Sequence, residues 1–289
     1  MRLFVIGATG YIGRNLFARA KKSGEAFGTS SSDRGGLLPL RLDESNSFDY
    51  DQICCGDVIL LTAAISAPDT CAREHEQAWA VNVDGTSHFI QRAIDRGARV
   101  IFFSSDAVYG EREKEFAETM ECNPAGDYAR MKFEVERRFL SNLSFKAVRL
   151  SYVFSREDKF SNYLSKCIEQ DKEADLFHPF FRAIVHRDDV IEGVLALATK
   201  WDDVSEKIIN FGGPQILSRI DFAECLRESH FYNLRFKVTE PDASFFANRP
   251  RIIAMKSPIF QKLLGRLPRT LHEAVSLEFA SSISKDSYE

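Results

Sequence analysis

The chain has 289 residues, 44% of them hydrophobic, enough apolar surface for one large folded unit or two smaller ones sharing a cleft. Its 38 Lys and Arg stand against 42 Asp and Glu, so no global field draws it to nucleic acid or to an anionic membrane, and anionic ligands have to be met by local arginines. Six cysteines, Cys54, Cys55, Cys71, Cys122, Cys167 and Cys225, contain no C-x-x-C pair, which suits neither a disulfide framework nor a zinc site and reads as reduced thiols in a cytoplasmic protein without a metal. The apolar run after Met1-Arg2 is too brief for a signal-peptide core, and no stretch approaches membrane-spanning length.

In chain order, short apolar runs at residues 3–7, 26–30, 37–42, 58–63, 100–105 and 145–150 alternate with segments of helical period. Runs this short and this rich in Val, Ile, Leu and Phe predict central strands of a parallel sheet covered on both faces. Ile12, Leu16 and Ala20 share one face of the first covering helix, and Ala78, Val81, Gly85 and Phe89 one face of a longer one. After Ser151 the alternation breaks down. Residues 156–181 are more polar and aromatic, as in an excursion that covers a ligand.

A helix over residues 188–199, with Val190, Val194 and Leu197 on one face, returns to the first unit. Ser218 with Asp221 predicts a capping box that opens a further helix, helical spacing resumes over 270–282, and residues 284–289 form a polar, frayed end. The expected organisation is a cofactor domain over 1–152, rejoined by 188–212, and a smaller C-terminal substrate domain over 153–187 and 213–289.

The first strand runs into Gly7-Ala8-Thr9-Gly10-Tyr11-Ile12-Gly13 and then a helix. Glycines there let a pyrophosphate touch backbone N–H groups at a helix N-terminus, which predicts a Rossmann-type dinucleotide site. The second strand ends in Thr29-Ser30-Ser31-Ser32-Asp33-Arg34, with no carboxylate at Ser31. Small hydroxyls with Arg34 suit the 2'-phosphate of NADP(H), with NAD(H) the alternative if Asp33 binds the ribose instead. Asp43, at the end of the third strand, is expected near the adenine, and Thr62, Ala63 and Ala64 let the cofactor lie along the fourth.

The fifth strand ends in Ser104-Ser105-Asp106, and 23 residues beyond Ser105 comes Tyr128-Ala129-Arg130-Met131-Lys132. Tyr128 and Lys132 are four apart and share a helix face. An ammonium beside a phenol favours the phenolate, so the pair predicts a tyrosine acid or base tuned towards neutral pH. A serine at the carboxyl end of a parallel strand sits where such sheets bind ligands and can donate to a carbonyl.

With these elements in this order, the chain resembles an extended short-chain dehydrogenase/reductase over nearly its whole length. The closest likeness is to the dTDP-4-dehydrorhamnose reductase subgroup, carried by Asp69-Thr70-Cys71-Ala72-Arg73-Glu74, by Ser104-Ser105-Asp106 and by Asn248-Arg249-Pro250-Arg251 with Leu271-His272-Glu273-Ala274-Val275. The resemblance implies that Ser105, Tyr128 and Lys132 do the chemistry, that Asn82 supports them, and that Gly7, Gly10 and Gly13 hold cofactor phosphates. Thr9, Tyr11, Ile12, Ser32 and Ser104 would complete the cofactor site. Ser66, Ser105, Asp106, Tyr128, Arg182 and Arg249 would meet the substrate, the two arginines on its diphosphate.

The implied activity is NADPH-dependent reduction of a keto group on a nucleotide-linked sugar. The alternatives are an epimerase or dehydratase that retains its cofactor, and a regulatory subunit that binds cofactor without turnover. The oligomeric state is open, a homodimer among the options. The cluster Phe177, Phe180, Phe181, Phe245 and Phe246 either stacks on a nucleotide base or fills the core.

Overall fold

A computed structural model describes residues 1–112 and 115–280. Its centre is a seven-stranded parallel sheet. The strands are β1 (Leu3–Ile6), β2 (Ala26–Ser30), β3 (Leu38–Pro39), β4 (Val58–Leu61), β5 (Arg99–Ser105), β6 (Phe145–Leu150) and β7 (Ile208–Phe211). Their order is β7-β6-β5-β4-β1-β2-β3, with Val5 beside Gly28 on one side and Leu60 on the other. The chain leaves β1 in one direction to reach β2 and in the other to reach β4. The crevice beyond the carboxyl ends of β1 and β4 is therefore a switch point, where sheets of this kind receive ligands.

Alternation along each strand builds two cores. Leu3, Val5, Leu60, Ile101, Val148 and Ile209 face helices α1 (Tyr11–Ser23) and α4 (Arg187–Thr199), which contribute Leu16, Ala20, Val190, Val194 and Leu197. Phe4, Ile59, Phe102 and Ala147 face the opposite way, onto Phe89, Ile90 and Ala93 of α2 (Thr86–Asp95) and Val135 and Phe139 of α3 (Gly126–Phe139). These strands are buried on both sides, which is why they read as unbroken apolar runs rather than as alternating ones.

A smaller lobe packs Phe154, Phe160, Leu164, Leu176, Phe222, Leu226 and Val275 into a separate core. It is built from the helix Lys159–Glu169, from α5 (Arg219–Ser229) and from the helix Leu271–Phe279, with Ala174–Phe177 pairing in parallel with Phe236–Thr239. Residues 156–181 thus hold a helix and a strand. Ser218 and Thr270 both cap helices through capping boxes, with Asp221 and Glu273 as the reciprocal acids. The expectation for residues 284–289 lies outside the described residues.

Two local readings are corrected. The third strand shrinks from residues 37–42 to Leu38–Pro39, because Pro39 has no N–H to extend a ladder. The chain then turns through a 3-10 helix, Leu42–Ser47, which buries Leu40 and Leu42. Asp43 is accordingly in that turn and not at a strand end. The long helix through Ala78 and Phe89 is also interrupted, since residues Ala80–Gly85 form a π-helical turn around Asn82.

Helix α3 is tied to the sheet by a buried ion pair. Arg149 of β6 donates to both oxygens of Glu136, at 3.1 and 2.6 Å, and its guanidinium lies 4.6 Å from the centre of the Tyr109 ring. Arg149→Met leaves Glu136 buried without its cation and is expected to lower unfolding free energy by about 3 kcal/mol, whereas the double replacement with Glu136→Leu recovers most of the loss. Denaturant midpoints of the three proteins check this; equal losses in the single and double variants would contradict it.

Candidate active site

Gly7 follows β1 with φ +88°, a conformation that side chains rarely adopt, and a Cβ there would stand 2.9 Å from Ala63. Thr29 secures the turn by accepting from the Gly7 N–H at 3.1 Å. A Cβ on Gly13 would collide with the Gly7 carbonyl, so α1 closes onto the turn only because that residue is glycine. The N-cap of α1 is Gly10, with no side-chain cap and no acid in the first turn. Its free N–H groups and partial positive charge are left for an anion.

This turn borders a cavity of about 670 Å³. Gly7, Thr9, Gly10, Tyr11, Ile12, Gly13, Ser31, Asp43, Thr62, Ala63, Ala64, Ser66, Ser104, Tyr128 and Lys132 all line it, so the fold gathers most of the residues singled out in the sequence. Small side chains at 62–64 keep the β4 rim open. Thr62 donates its hydroxyl to the Ile6 carbonyl at 2.8 Å. Tyr11 closes the far wall through a 2.7 Å hydrogen bond with Ser155, and burial pushes its phenol well above the ordinary range.

Arg34 and Ser32 are not among the lining residues, and both are exposed. Arg41 is the arginine that lines the cavity, paired with Asp43 at 2.8 Å, while Gln77 donates to Asp43 at 3.3 Å. Neither Arg41 nor Gln77 carries a motif. Arg41 could have been suspected only from its place beside Asp43.

At the other end, Tyr128 and Lys132 project from α3. Lys132 is only 3% exposed and donates to the Phe103 carbonyl of β5 at 2.8 Å, with Phe102 beneath it at 4.5 Å from the ring centre. Burial pulls its ammonium down to about 8, while Cys71 and Glu136 act in the opposite direction. Tyr128 lies 5.8 Å from that ammonium, measured to its ring centre. Its phenol is pushed well up by burial first and then by Cys71 and Asp106.

The expected tuning of the phenol by the ammonium is thus not what this geometry gives. Lys132 is directed at a backbone carbonyl, and desolvation dominates both groups. Ser104 has a buried hydroxyl with no hydrogen-bond partner among the described residues, and it lines the cavity. Ser105 does not line it. Its Oγ accepts from Ala107 N–H at 3.2 Å, capping the 3-10 turn Asp106–Tyr109, and donates to Asp106 at 3.2 Å.

Asn82 supports the rim without lining it. Its amide donates to the Ile65 carbonyl at 2.9 Å and accepts from the Ile65 N–H at 2.8 Å, holding the segment next to Ser66. Asp106 is buried, bonded to Ser151 at 2.9 Å and 3.7 Å from Arg182. Burial raises its carboxyl, and Arg182 offsets part of the rise.

The two arginines expected on the substrate lie outside this cavity. Arg182 donates to the carbonyls of Phe181 and Pro250, both at 2.7 Å, and Arg249 forms a two-pronged pair with Asp69 at 2.7 and 2.6 Å. Among the described residues, no group of three His, Cys, Asp or Glu is arranged to hold a metal ion, and no helix is long and apolar enough to cross a membrane.

A glycine turn at a sheet switch point, with a Tyr-Lys helix at the other end of the same cavity, marks an α/β protein of the short-chain dehydrogenase/reductase class. The chain belongs to the RmlD substrate-binding domain family, whose model matches residues 1–282. It is 30% identical over 161 residues to a dTDP-4-dehydrorhamnose reductase of Mycobacterium tuberculosis, an alignment covering 53% of this chain and 51% of that protein, so the chain matches about half the length of that relative. It is also 29% identical over 234 residues to the methionine adenosyltransferase 2 subunit beta of Xenopus laevis, covering 77% and 70% of the two. A solved structure of MoeE5 in complex with UDP-glucuronic acid and NAD shares the fold, with a TM-score of 0.80, 19% identity and coverage of 98% and 99%.

The buried ammonium has a consequence for pH. Between about 8 and the ordinary 10.5 the unfolded chain carries the Lys132 proton and the folded chain does not, so folding gains stability as pH rises through that window. Relative to Lys132→Met, the wild type should gain melting temperature from pH 8 to 10.5. A difference that stays flat across those pH values would show that the site does not depress the lysine.

Proposed function

We propose that the chain is an NADPH-dependent reductase of a keto group on a nucleotide-linked sugar. The observation that carries the reading is the single cavity that has the glycine turn at one end and Ser104, Tyr128 and Lys132 at the other. The residues fit a nicotinamide dinucleotide. Gly7, Thr9, Gly10, Tyr11, Ile12 and Gly13 would hold its phosphates, Ser31, Asp43 and Arg41 its adenosine, Thr62, Ala63 and Ala64 its middle, and Ser104 and Lys132 its nicotinamide end. The orphaned Ser104 hydroxyl supports this, because a buried polar atom left without a partner is costly unless a ligand supplies one.

When bound, the reduced nicotinamide supplies a hydride. The work of the protein's own residues follows from their environments. Tyr128, whose phenol is held protonated by burial, donates its proton to the oxygen that becomes an alkoxide. Lys132 is charged at neutral pH, steadies that transfer electrostatically, and is kept in place by Phe103. Polarising the carbonyl is assigned to Ser105, which requires its hydroxyl to leave Asp106; Ser66 borders the cavity, and Asn82 keeps Ile65 and Ser66 at the rim.

NADP(H) is preferred over NAD(H) because Ser31, just past the end of β2, lines the cavity where a carboxylate for the ribose hydroxyls would stand. The likeness to a reductase favours reduction over epimerisation. The likeness to methionine adenosyltransferase 2 subunit beta favours a second reading, a subunit that binds cofactor without turnover.

Tyr128→Phe is expected to bind NADPH as the wild type does and to lose at least about a hundredfold in turnover, the scale of general acid catalysis. NADPH oxidation measured with a panel of nucleotide-linked keto sugars tests this, and unchanged turnover would remove Tyr128 from the mechanism. Oxidation of no member of the panel, with NADPH still bound, would favour the second reading. Replacing Arg41 or Arg34 by alanine separates the cofactors: loss of NADPH affinity greater than loss of NADH affinity identifies the 2'-phosphate contact, and equal losses refute it.

A further inference from the structure

Around the phenylalanine cluster of the smaller lobe stand four arginines, and three are already engaged. Arg182 is directed at backbone carbonyls and Asp106, Arg249 grips Asp69, and Arg251 faces Glu111 at 3.7 Å. Arg219 is different. It makes no hydrogen bond or ion pair with any described residue, and its guanidinium lies over Phe160, Phe180 and Phe177, at 4.8, 4.9 and 5.8 Å from the ring centres. Nearby acids are occupied: Asp221 accepts from the Ser218 N–H and hydroxyl, both at 2.7 Å, and Asp158 accepts from Tyr152, Phe160 and Ser161.

Three effects act against a cation there. Partial burial lowers its proton affinity, Arg249 adds like charge, and Arg219 is the first residue of α5, where the helix dipole disfavours positive charge; Asp158 pulls the other way without reaching it as an ion pair. Contact with aromatic faces returns less to a guanidinium than a charge-assisted hydrogen bond to an anion would. An arginine held this way is matched to an anion that comes from outside.

Its position suits the substrate. Arg219 shares a narrow cavity with Tyr152, Phe180 and Arg182, and the two guanidiniums flank one ring, Phe180, with Arg182 at 4.1 Å from its centre. Arg182 in turn leads through Asp106 to Ser105, the residue after Ser104, which lines the larger cavity.

We propose that Arg219, and not Arg182 or Arg249, is the cation that grips the substrate's phosphate oxygens, those of a nucleoside diphosphate. The assignment rests on the nucleotide-sugar reading given above. Phe177 and Phe180 hold the fork open while the phosphate satisfies it, so the site is a specificity device rather than a support for the fold.

The test uses the full chain saturated with NADPH and titrates UDP, dTDP, GDP and inorganic pyrophosphate by calorimetry, with uridine, thymidine and guanosine as uncharged comparators. Arg219→Leu, which keeps apolar bulk over the rings, is expected to weaken whichever diphosphates the wild type binds by about tenfold or more, the scale of a charge-assisted hydrogen bond. It should leave nucleoside and NADPH binding unchanged and the melting temperature equal or higher; a residue that merely supported the fold would lower it. Should the leucine variant fail to fold, Arg219→Gln carries the same comparison.

Wild-type affinity for a diphosphate, retained in the Arg219 variants, would overturn the inference and leave the nucleotide-sugar reading standing. Pyrophosphate binding that depends on Arg219, without binding of any nucleoside diphosphate, would uphold the anion site and sink the nucleotide reading. A wild type that binds none of these probes overturns both.

Discussion

One buried contact organises the site: the Lys132 ammonium, out of water, held on the Phe103 carbonyl. A charge can remain there only where a polar partner is fixed, and the partner is a peptide group in the middle of a rigid parallel sheet. Four residues further along the same helix, Glu136 meets Arg149 of the neighbouring strand. These two polar ties, set in an otherwise apolar interface, fix how α3 is rotated on the sheet and therefore where Tyr128 points. Apolar packing alone would tolerate a turn of the helix; buried charges do not.

The same constraint explains the division of labour between the two serines after Phe103. The β5 pleat turns Ser104 and Ser105 to opposite faces. One hydroxyl is left facing the cavity without a partner, while the other caps the next turn and leans on Asp106. Asp106 connects that turn to Ser151 and Arg182, so one buried carboxylate links the end of β5 to the smaller lobe.

Electrostatics in the smaller lobe follow a different logic. Its arginines are distributed among backbone carbonyls, surface acids and aromatic faces, and formal charge says little about which of them a ligand can use. Arg182 and Arg249 match the expected motif positions yet are satisfied within the protein, while Arg219 matches none and makes no hydrogen bond or ion pair among the described residues. A guanidinium reports on function through its unmet hydrogen bonds, and those are invisible until the neighbours are in place.

What the amino-acid order determined by itself is local and periodic. Apolar runs of strand length, the glycine turn after Ile6, the capping box at Ser218 and the four-residue spacing of Tyr128 and Lys132 are consequences of backbone geometry, so they announced the sheet, the turn after β1 and the helix that carries the Tyr-Lys pair directly. Tertiary structure decided what depends on distant neighbours. It stopped β3 at Pro39, unwound a π turn around Asn82, brought Arg41 rather than Arg34 to the cavity, raised the Tyr128 phenol instead of lowering it, and left Arg219 unpaired among the described residues. Burial and pairing are properties of the assembled surroundings, and a residue's type and spacing do not contain them.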